Sequence, residues 1–331
     1  MSAPSPSTAE PRADIAATLE SYDLAASRQG FVAFEIAPVF DAPRVSGDYK
    51  VLAADQLLQD HPTERAPDGS YRRADFSVGE KSYSTKERGF EVPVDDNLKQ
   101  QYRDYFDAEA VAAEIARDVL LRQCEQKIVT PAQDTSNVGG NTGVDTQWNA
   151  ANSTPIDDVL AAMFEVRGKC GLMPNTMVLD ILLFKHLLQN DQILDRLSTM
   201  GTSEGRRDVK IANKTMLEQI FDVERIVVAD SQKNAVIPHQ HASNAKLNLQ
   251  PLWNPAKVLL AHVDRRNRLQ MPTFARTFHW ADDGSELMGR VESYRDERVR
   301  GDVVRVRNQL DLNIVMEECA YLLTGCYVAP E

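Results

Sequence analysis

Two closely spaced histidines, one glycine cluster and four cysteines are the residues of this chain whose types could do chemistry. His239 and His241 flank Gln240 in a loop and could present two imidazoles to a metal ion. No third ligand stands nearby, because His262 and His279 fall on predicted strands, and a zinc site takes three or four protein ligands. Gly139-Gly-Asn-Thr-Gly143 offers backbone amides to a phosphate, but it has no Gly-Lys-Ser/Thr and follows no strand. Cys124, Cys170, Cys319 and Cys326 form no C-x-x-C, so they read as reduced, buried thiols. Asp95-Asp96 is a carboxylate pair at the approach to a helix, where bonding to helix amides is the ordinary role. Neither Gly-x-Ser-x-Gly nor His-Glu-x-x-His occurs. The expectation is a protein without catalytic residues, metal or cofactor. A soluble metal-dependent enzyme built on His239 and His241 is the alternative from another class.

The elements that would position such residues are helices and strands in separate runs. At 331 residues the chain can make one large domain or two modest ones, and 43% hydrophobic with 26% charged residues is ordinary for a globular protein. No apolar run reaches eighteen residues, so nothing reads as a membrane span. Lys plus Arg number 37 against 49 acids, a net charge of −12, which opposes gripping nucleic acid by its phosphates. The first thirteen residues, with three prolines, read as a loose tail rather than a secretory signal.

The strongest helix starts at Asp107, a plausible N-cap, and runs to about Val129, where Thr130-Pro131 should stop it. Val111, Ile115 and Val119 mark its expected buried face, and five alanines keep it slim; at 1.5 Å per residue it would be roughly 33 Å long. Residues 131–153 form a polar, Gly- and Asn-rich stretch without periodicity. Thr154-Pro155 opens a second helix with Ile156, Val159, Leu160, Met163, Phe164 and Val166 on its buried face, ended by Gly168 and Gly171. Strands are expected at 176–180, 225–229 and 257–262, helices at 181–197 and 213–221, and long antiparallel strands at 273–280 and 289–315. Segregated elements of this kind make an α+β fold rather than a doubly wound sheet.

Two regions are short of a core of their own. Asp14 to Ser27 is weakly helical, and Phe31, Phe34 and Ile36 lie in an apolar run broken by prolines at 38 and 43, which reads as an extended arm with a sticky patch. Arg44 to Asp96 is crowded with charge. Within it, Gly79-Glu80 could turn a hairpin with Phe76 and Val78 before it and Tyr83 and Thr85 after it. A two-stranded ribbon is marginal in water and needs a surface to lie on, and another copy of the chain is the natural one. Arg290, Arg295, Arg298, Arg300, Arg305 and Arg307, interleaved with acids, read as a subunit contact, with a solvated strand face as the other reading.

The stretch Tyr83-Ser-Thr-Lys-Glu-Arg-Gly-Phe-Glu-Val-Pro-Val-Asp-Asp96 resembles the return limb of the extended loop of tailed-bacteriophage major capsid proteins, a fold shared with encapsulins and the herpesvirus capsid floor. The helix 107–129 is similar to that family's spine helix. Val227-Val-Ala-Asp-Ser-Gln-Lys-Asn234, Trp253-Asn-Pro, Val258-Leu-Leu-Ala261, the run Pro272 to Trp280 and Tyr321-Leu-Leu-Thr-Gly325 follow in matching order. The resemblance implies an N-terminal arm (1–43), an extended loop (44–96), a peripheral domain (97–200 with 287–313) and an axial domain (201–286 with 314–331). It implies self-assembly into hexamers and pentamers of an icosahedral shell enclosing double-stranded DNA without sequence-specific binding, in a virion assembled in the host cytoplasm and away from any membrane. A scaffolding protein, a portal and a decoration protein would be its helpers. The expected subunit contacts are Phe31, Phe34, Phe76, Val78, Tyr83, Lys86, Arg88, Phe90, Glu91, Arg295, Arg298 and Arg300. Lys81 and Lys86 are candidate donors of an inter-subunit cross-link to an asparagine, although no acceptor asparagine matches. An encapsulin-like compartment shares the fold and stands as the nearer alternative.

Overall fold

The computed structural model describes residues 10–11, 30–51, 60–61, 63–64, 69, 71, 73, 78–102, 107–200, 213–234, 248–269 and 271–329. The first part of the chain gives β1 (Glu10–Pro11), α1 (Ala33–Ile36), β2 (Val39–Asp41), β3 (Ser46–Val51), β4 (Gly79–Ser84), β5 (Lys86–Asp95), α2 (Asp96–Tyr102) and α3 (Ala108–Ala132). The middle adds β6 (Asn141–Gly143), α4 (Pro155–Cys170), β7 (Thr176–Asp180), α5 (Ile181–Leu187), α6 (Asp191–Met200), α7 (Lys214–Ile220), β8 (Arg225–Ala229), β9 (Gln232–Asn234) and β10 (Leu249–Pro251). The last part supplies β11 (Lys257–Ala261), β12 (Ala275–His279), β13 (Arg290–Asp296), β14 (Gly301–Ile314) and β15 (Ala320–Thr324).

Two sheets organise these elements. One runs β1-β13-β14-β12-β2, with β5 also paired to β14; the other runs β6-β15-β11-β7-β8. β14 is the frame of the first. Its residues 301–307 pair with β13, residues 301–310 with β5, and residues 310–314 with β12. Side chains alternate across a strand, so Val304 and Val306 face one way with Val291 and Val94, while Arg305 and Arg307 face the other with Glu292. The valine face receives α3 through Ala108, Ala112, Ala113, Ala116 and Leu120. Gly301 lets β5 come close, because a Cβ there would sit 2.0 Å from the Val94 carbonyl oxygen.

Several sequence expectations hold locally. Asp107 caps α3, its carboxylate accepting from the Glu109 and Ala110 amides. Pro155 opens α4, and Gly171 closes it in the left-handed conformation. β7, β8 and β11 fall on the continuous apolar runs expected of strands covered on both faces.

Other expectations are corrected. Gly79-Glu80 turns no hairpin: Gly79–Ser84 is one strand, antiparallel to Ser46–Val51, so the ribbon joins segments far apart in sequence. The pairing is set by Tyr49 and Tyr83, one from each strand, both buried against the same ring. α3 turns its alanines, not Val111, Ile115 and Val119, toward the sheet, and Ile115 is half exposed. Small side chains let a helix lie close on a sheet, and the bulkier face then points away. The helix also runs on through Pro131 to Ala132, about 37 Å in all. In α4, Leu160 and Phe164 are exposed and Gly168 is helical. The single helix expected at 181–197 breaks at Asn190, whose side chain accepts from the Gln192 amide and donates to Ser153 Oγ.

The polar stretch after α3 is anchored rather than free: β6 pairs parallel to β15, and Trp148 is buried with its indole donating to Asp158. Of the first thirteen residues only Glu10 and Pro11 are described, and they pair with Ser293 and Glu292 on β13. Layers and expected domains differ as well. β7, expected with the peripheral unit, lies in the sheet of β8, β11 and β15, while β12, expected with the axial unit, lies beside β14. The weak helix read at Asp14–Ser27 lies outside the described residues.

Candidate assembly surfaces

The ribbon β3–β4 is exposed along most of its length. At its root, Phe278 of β12 is fully buried and holds three rings: Tyr83 stacked at 4.5 Å, Tyr49 at 5.2 Å and Phe40 edge-on at 5.8 Å. Burial pushes the Tyr49 phenol up to about 12, with Asp311 adding to the shift. Gly47 makes room for the Tyr83 ring, whose hydroxyl would lie 3.1 Å from a Cβ at that position. Lys81 Nζ donates to the Val315 carbonyl at 2.8 Å and the Ser84 amide to Asp311 at 3.0 Å, fixing the return strand. Lys50 and Glu80 pair farther out at 2.6 Å, both well exposed.

The β13–β14 hairpin carries the arginines. Glu292 is buried and accepts from Arg305 at 2.7 Å and Arg307 at 3.0 Å; Arg307 also bonds Asp283 at 2.9 Å. Burial pushes the Glu292 carboxyl up, but the two guanidiniums more than offset it and hold it below the usual carboxylate range. At the hairpin end Arg295 forks onto Asp96 with two bonds of 2.6 Å. That fork holds Asp96 below its ordinary value. Arg298 and Arg300 are exposed at the turn, and Arg300 has φ +51.

A third feature was not legible in the sequence. Glu125 of α3 is fully buried and accepts from the Val32 and Ala33 amides at 2.9 and 2.7 Å and from the Trp253 indole at 2.5 Å. Burial drives its carboxyl up to about 7, against the pull of those three donors. The apolar run expected to be a sticky arm is therefore docked on its own subunit from residue 32. Ile36 is fully buried, and Phe31 and Phe34 pack half-buried on the core. Nothing in the residue pattern singles out Glu125 from the other acids of α3.

Of the expected contact residues, Tyr83 is buried inside its own chain, and Arg88 is half-buried, donating to the Leu310 carbonyl at 2.7 Å. Val78, Lys86, Phe90, Glu91, Arg298 and Arg300 are exposed, and Arg295 is exposed but paired. Phe76, His239 and His241 lie outside the described residues. Among the described residues no group of His, Cys, Asp and Glu side chains could hold a metal, and no helix is long and apolar enough to cross a membrane. The Gly139 amide is spent on the Glu317 and Ala320 carbonyls, and residues 141–143 on β15, so this glycine cluster is a sheet edge and not a phosphate cradle.

No family model matches the chain. It is similar to the major capsid protein of Burkholderia phage BcepMu, 24% identical over 303 residues, covering 89% of this chain and 91% of that one. A phage-related protein from Bordetella bronchiseptica RB50 superposes with a TM-score of 0.63 at 17% identity, covering 90% of this chain and 92% of that one. The capsid of Myoviridae phage XM1 gives 0.55 at 10% identity, with 89% and 92% covered. The encapsulin of Synechococcus elongatus PCC 7942 gives 0.51 at 12% identity, with 88% and 87% covered.

Proposed function

We propose that this chain, which has the major capsid fold of tailed bacteriophages, is the protein that builds the icosahedral head around packaged double-stranded DNA. The observation that carries the reading is likeness to a phage major capsid protein along nearly the whole length of both chains. The projecting ribbon supports it. Its strands are exposed beyond the aromatic root, so its outer surface is free for a neighbouring copy. Val78, Phe90 and Ile115 add exposed apolar side chains, and Arg298 and Arg300 offer cationic forks at the hairpin turn.

Assembly is the mechanism. Each subunit gives its ribbon and hairpin tip to neighbours in hexamers and pentamers, and modest contacts repeated by symmetry sum to a stable shell. The protein acts without catalysis, in the virion, after assembly in the host cytoplasm. A scaffolding protein, a portal and a decoration protein are its partners, and DNA is cargo rather than a ligand. The acidic balance of 49 to 37 suits a wall that encloses DNA without binding it.

The likeness to an encapsulin favours a second reading, a protein-filled compartment. Electron microscopy of the expressed chain, with and without a candidate scaffolding protein, tests both. Closed particles of megadalton mass are expected; a protein that stays monomeric under every condition sinks the shell reading. Neighbouring genes for a terminase and a portal mark the head, and a co-purifying enzyme inside the particles marks the compartment.

A further inference from the structure

Two of the four cysteines meet in the interior. Cys170 Sγ and Cys319 Sγ lie 2.9 Å apart, both buried, closer than unbonded heavy atoms of this size pack. Their backbones are fixed independently. Cys170 ends α4, where the Gly171 amide bonds the Arg167 carbonyl at 2.9 Å. Cys319 sits in the turn before β15, its carbonyl accepting from the His262 amide at 2.8 Å. Gly139 wedges against that turn, its amide 2.6 Å from the Glu317 carbonyl, and Lys169 bonds the Gly139 carbonyl at 2.7 Å. The two backbones that carry the sulfurs are thus each held by bonds of their own.

We propose that Cys170 and Cys319 are an oxidisable pair that closes to a disulfide, bolting the end of α4 to the turn that leads into β15 of the five-stranded sheet. Cys170 is the attacking sulfur. Cys319 and the Leu172 amide both hydrogen-bond to it, which holds its thiol below the ordinary range. A small peroxide is the oxidant, and Gly171 beside Cys170 is exposed at the helix end. The Cys170 thiolate takes one oxygen of hydrogen peroxide; the O–O bond breaks, and hydroxide leaves and is protonated by the proton the thiol gave up. The Cys319 thiol then attacks the sulfenic sulfur, the S–S bond forms and the hydroxyl leaves as a second water. Two thiols and one peroxide thus give one disulfide and two waters. The two residues are 149 apart in sequence, so the bond closes a long loop, the case in which the unfolded chain is most restricted. The pair stands on this geometry, independent of the shell reading.

The test uses the full chain, reduced, exposed to hydrogen peroxide, then denatured and alkylated. Two of its four thiols should remain alkylatable, with intact mass about 2 Da below the reduced form. Peptide mapping should yield one linked pair holding Cys170 and Cys319, and reductant should restore all four thiols. The oxidised form should also melt several degrees higher. Cys170→Ala and Cys319→Ala should each keep their three remaining thiols through the same treatment. Four alkylatable thiols, a link through Cys124 or Cys326, or oxygen added at Cys170 with no link would each overturn the proposal. Thiol counting and mapping on the wild-type chain decide between these outcomes by themselves, so a variant that fails to fold changes nothing.

Discussion

Two antiparallel ribbons among the described residues, β13–β14 and β3–β4, solve opposite problems. β13–β14 is covered on one face by the alanines of α3 and laced on the other by Glu292, Arg305 and Arg307. β3–β4 is gripped at its root by Phe278 and exposed beyond it. Both are rich in charge, yet the first pairs Glu292 with Arg305 and Arg307 and leaves Arg298 and Arg300 exposed at its turn, while the second keeps Lys50 and Glu80 on the surface. The difference teaches that charge density does not mark an interface; what matters is whether the chain already supplies the partner.

The comparison breaks most visibly at the root of the exposed ribbon. Phe278→Ala removes the floor under three rings and should cost about 3–5 kcal/mol in urea unfolding, with protease cutting within residues 46–84. A loss under about 1 kcal/mol would mean that the ribbon does not depend on that ring. Glu292→Gln attacks the other ribbon and should cost about 2–3 kcal/mol, because two guanidiniums lose their shared carboxylate. It has a pH signature. The Glu292 carboxyl titrates below its ordinary 4.5 when folded. Its stabilisation is therefore complete above that value and lost as pH falls through the folded one. Unfolding midpoints measured from pH 6 down to 3 should fall in the wild type through this group, and the variant should lack that share of the slope.

The smallest effect on folding belongs to the hairpin turn. Replacing Arg298 and Arg300 together by Glu should leave the thermal midpoint unmoved, since both are exposed. Particle yield in the assembly assay should nevertheless fall about tenfold, the equivalent of ~1.4 kcal/mol per contact. Unchanged yield would assign the tip to solvent and leave the ribbon as the principal contact.

Much of the fold was legible because its signals are local. The Asp107 and Pro155 helix starts, the Gly171 stop and the apolar runs of β7, β8 and β11 need no knowledge of distant residues. What stayed hidden is non-local. Gly79–Ser84 pairs across a gap with Ser46–Val51, and a Gly-Glu pair inside a strand looks like a turn until that partner is known. Side-chain size points to Val111, Ile115 and Val119 as the buried face of α3, whereas close approach to β14 selects alanine. The arginine run was legible as a cluster of forks, but the partners of Arg295 and Arg307, Asp96 and Asp283, are brought in only by the fold. Of the candidate contacts, Val78, Phe90, Arg298 and Arg300 are exposed, while Tyr83 is drawn inward by a ring nearly two hundred positions away.

Glu125 gives the molecule a load path. A pull on the N-terminal segment at Val32 and Ala33 passes through one carboxylate to α3 and to Trp253, just ahead of β11. Letting go of that handhold strands three donors at once, so the three segments are tied together at a single point. Burial lifts this carboxyl to about 7, so the charge that the three donors share changes across the pH range around neutrality.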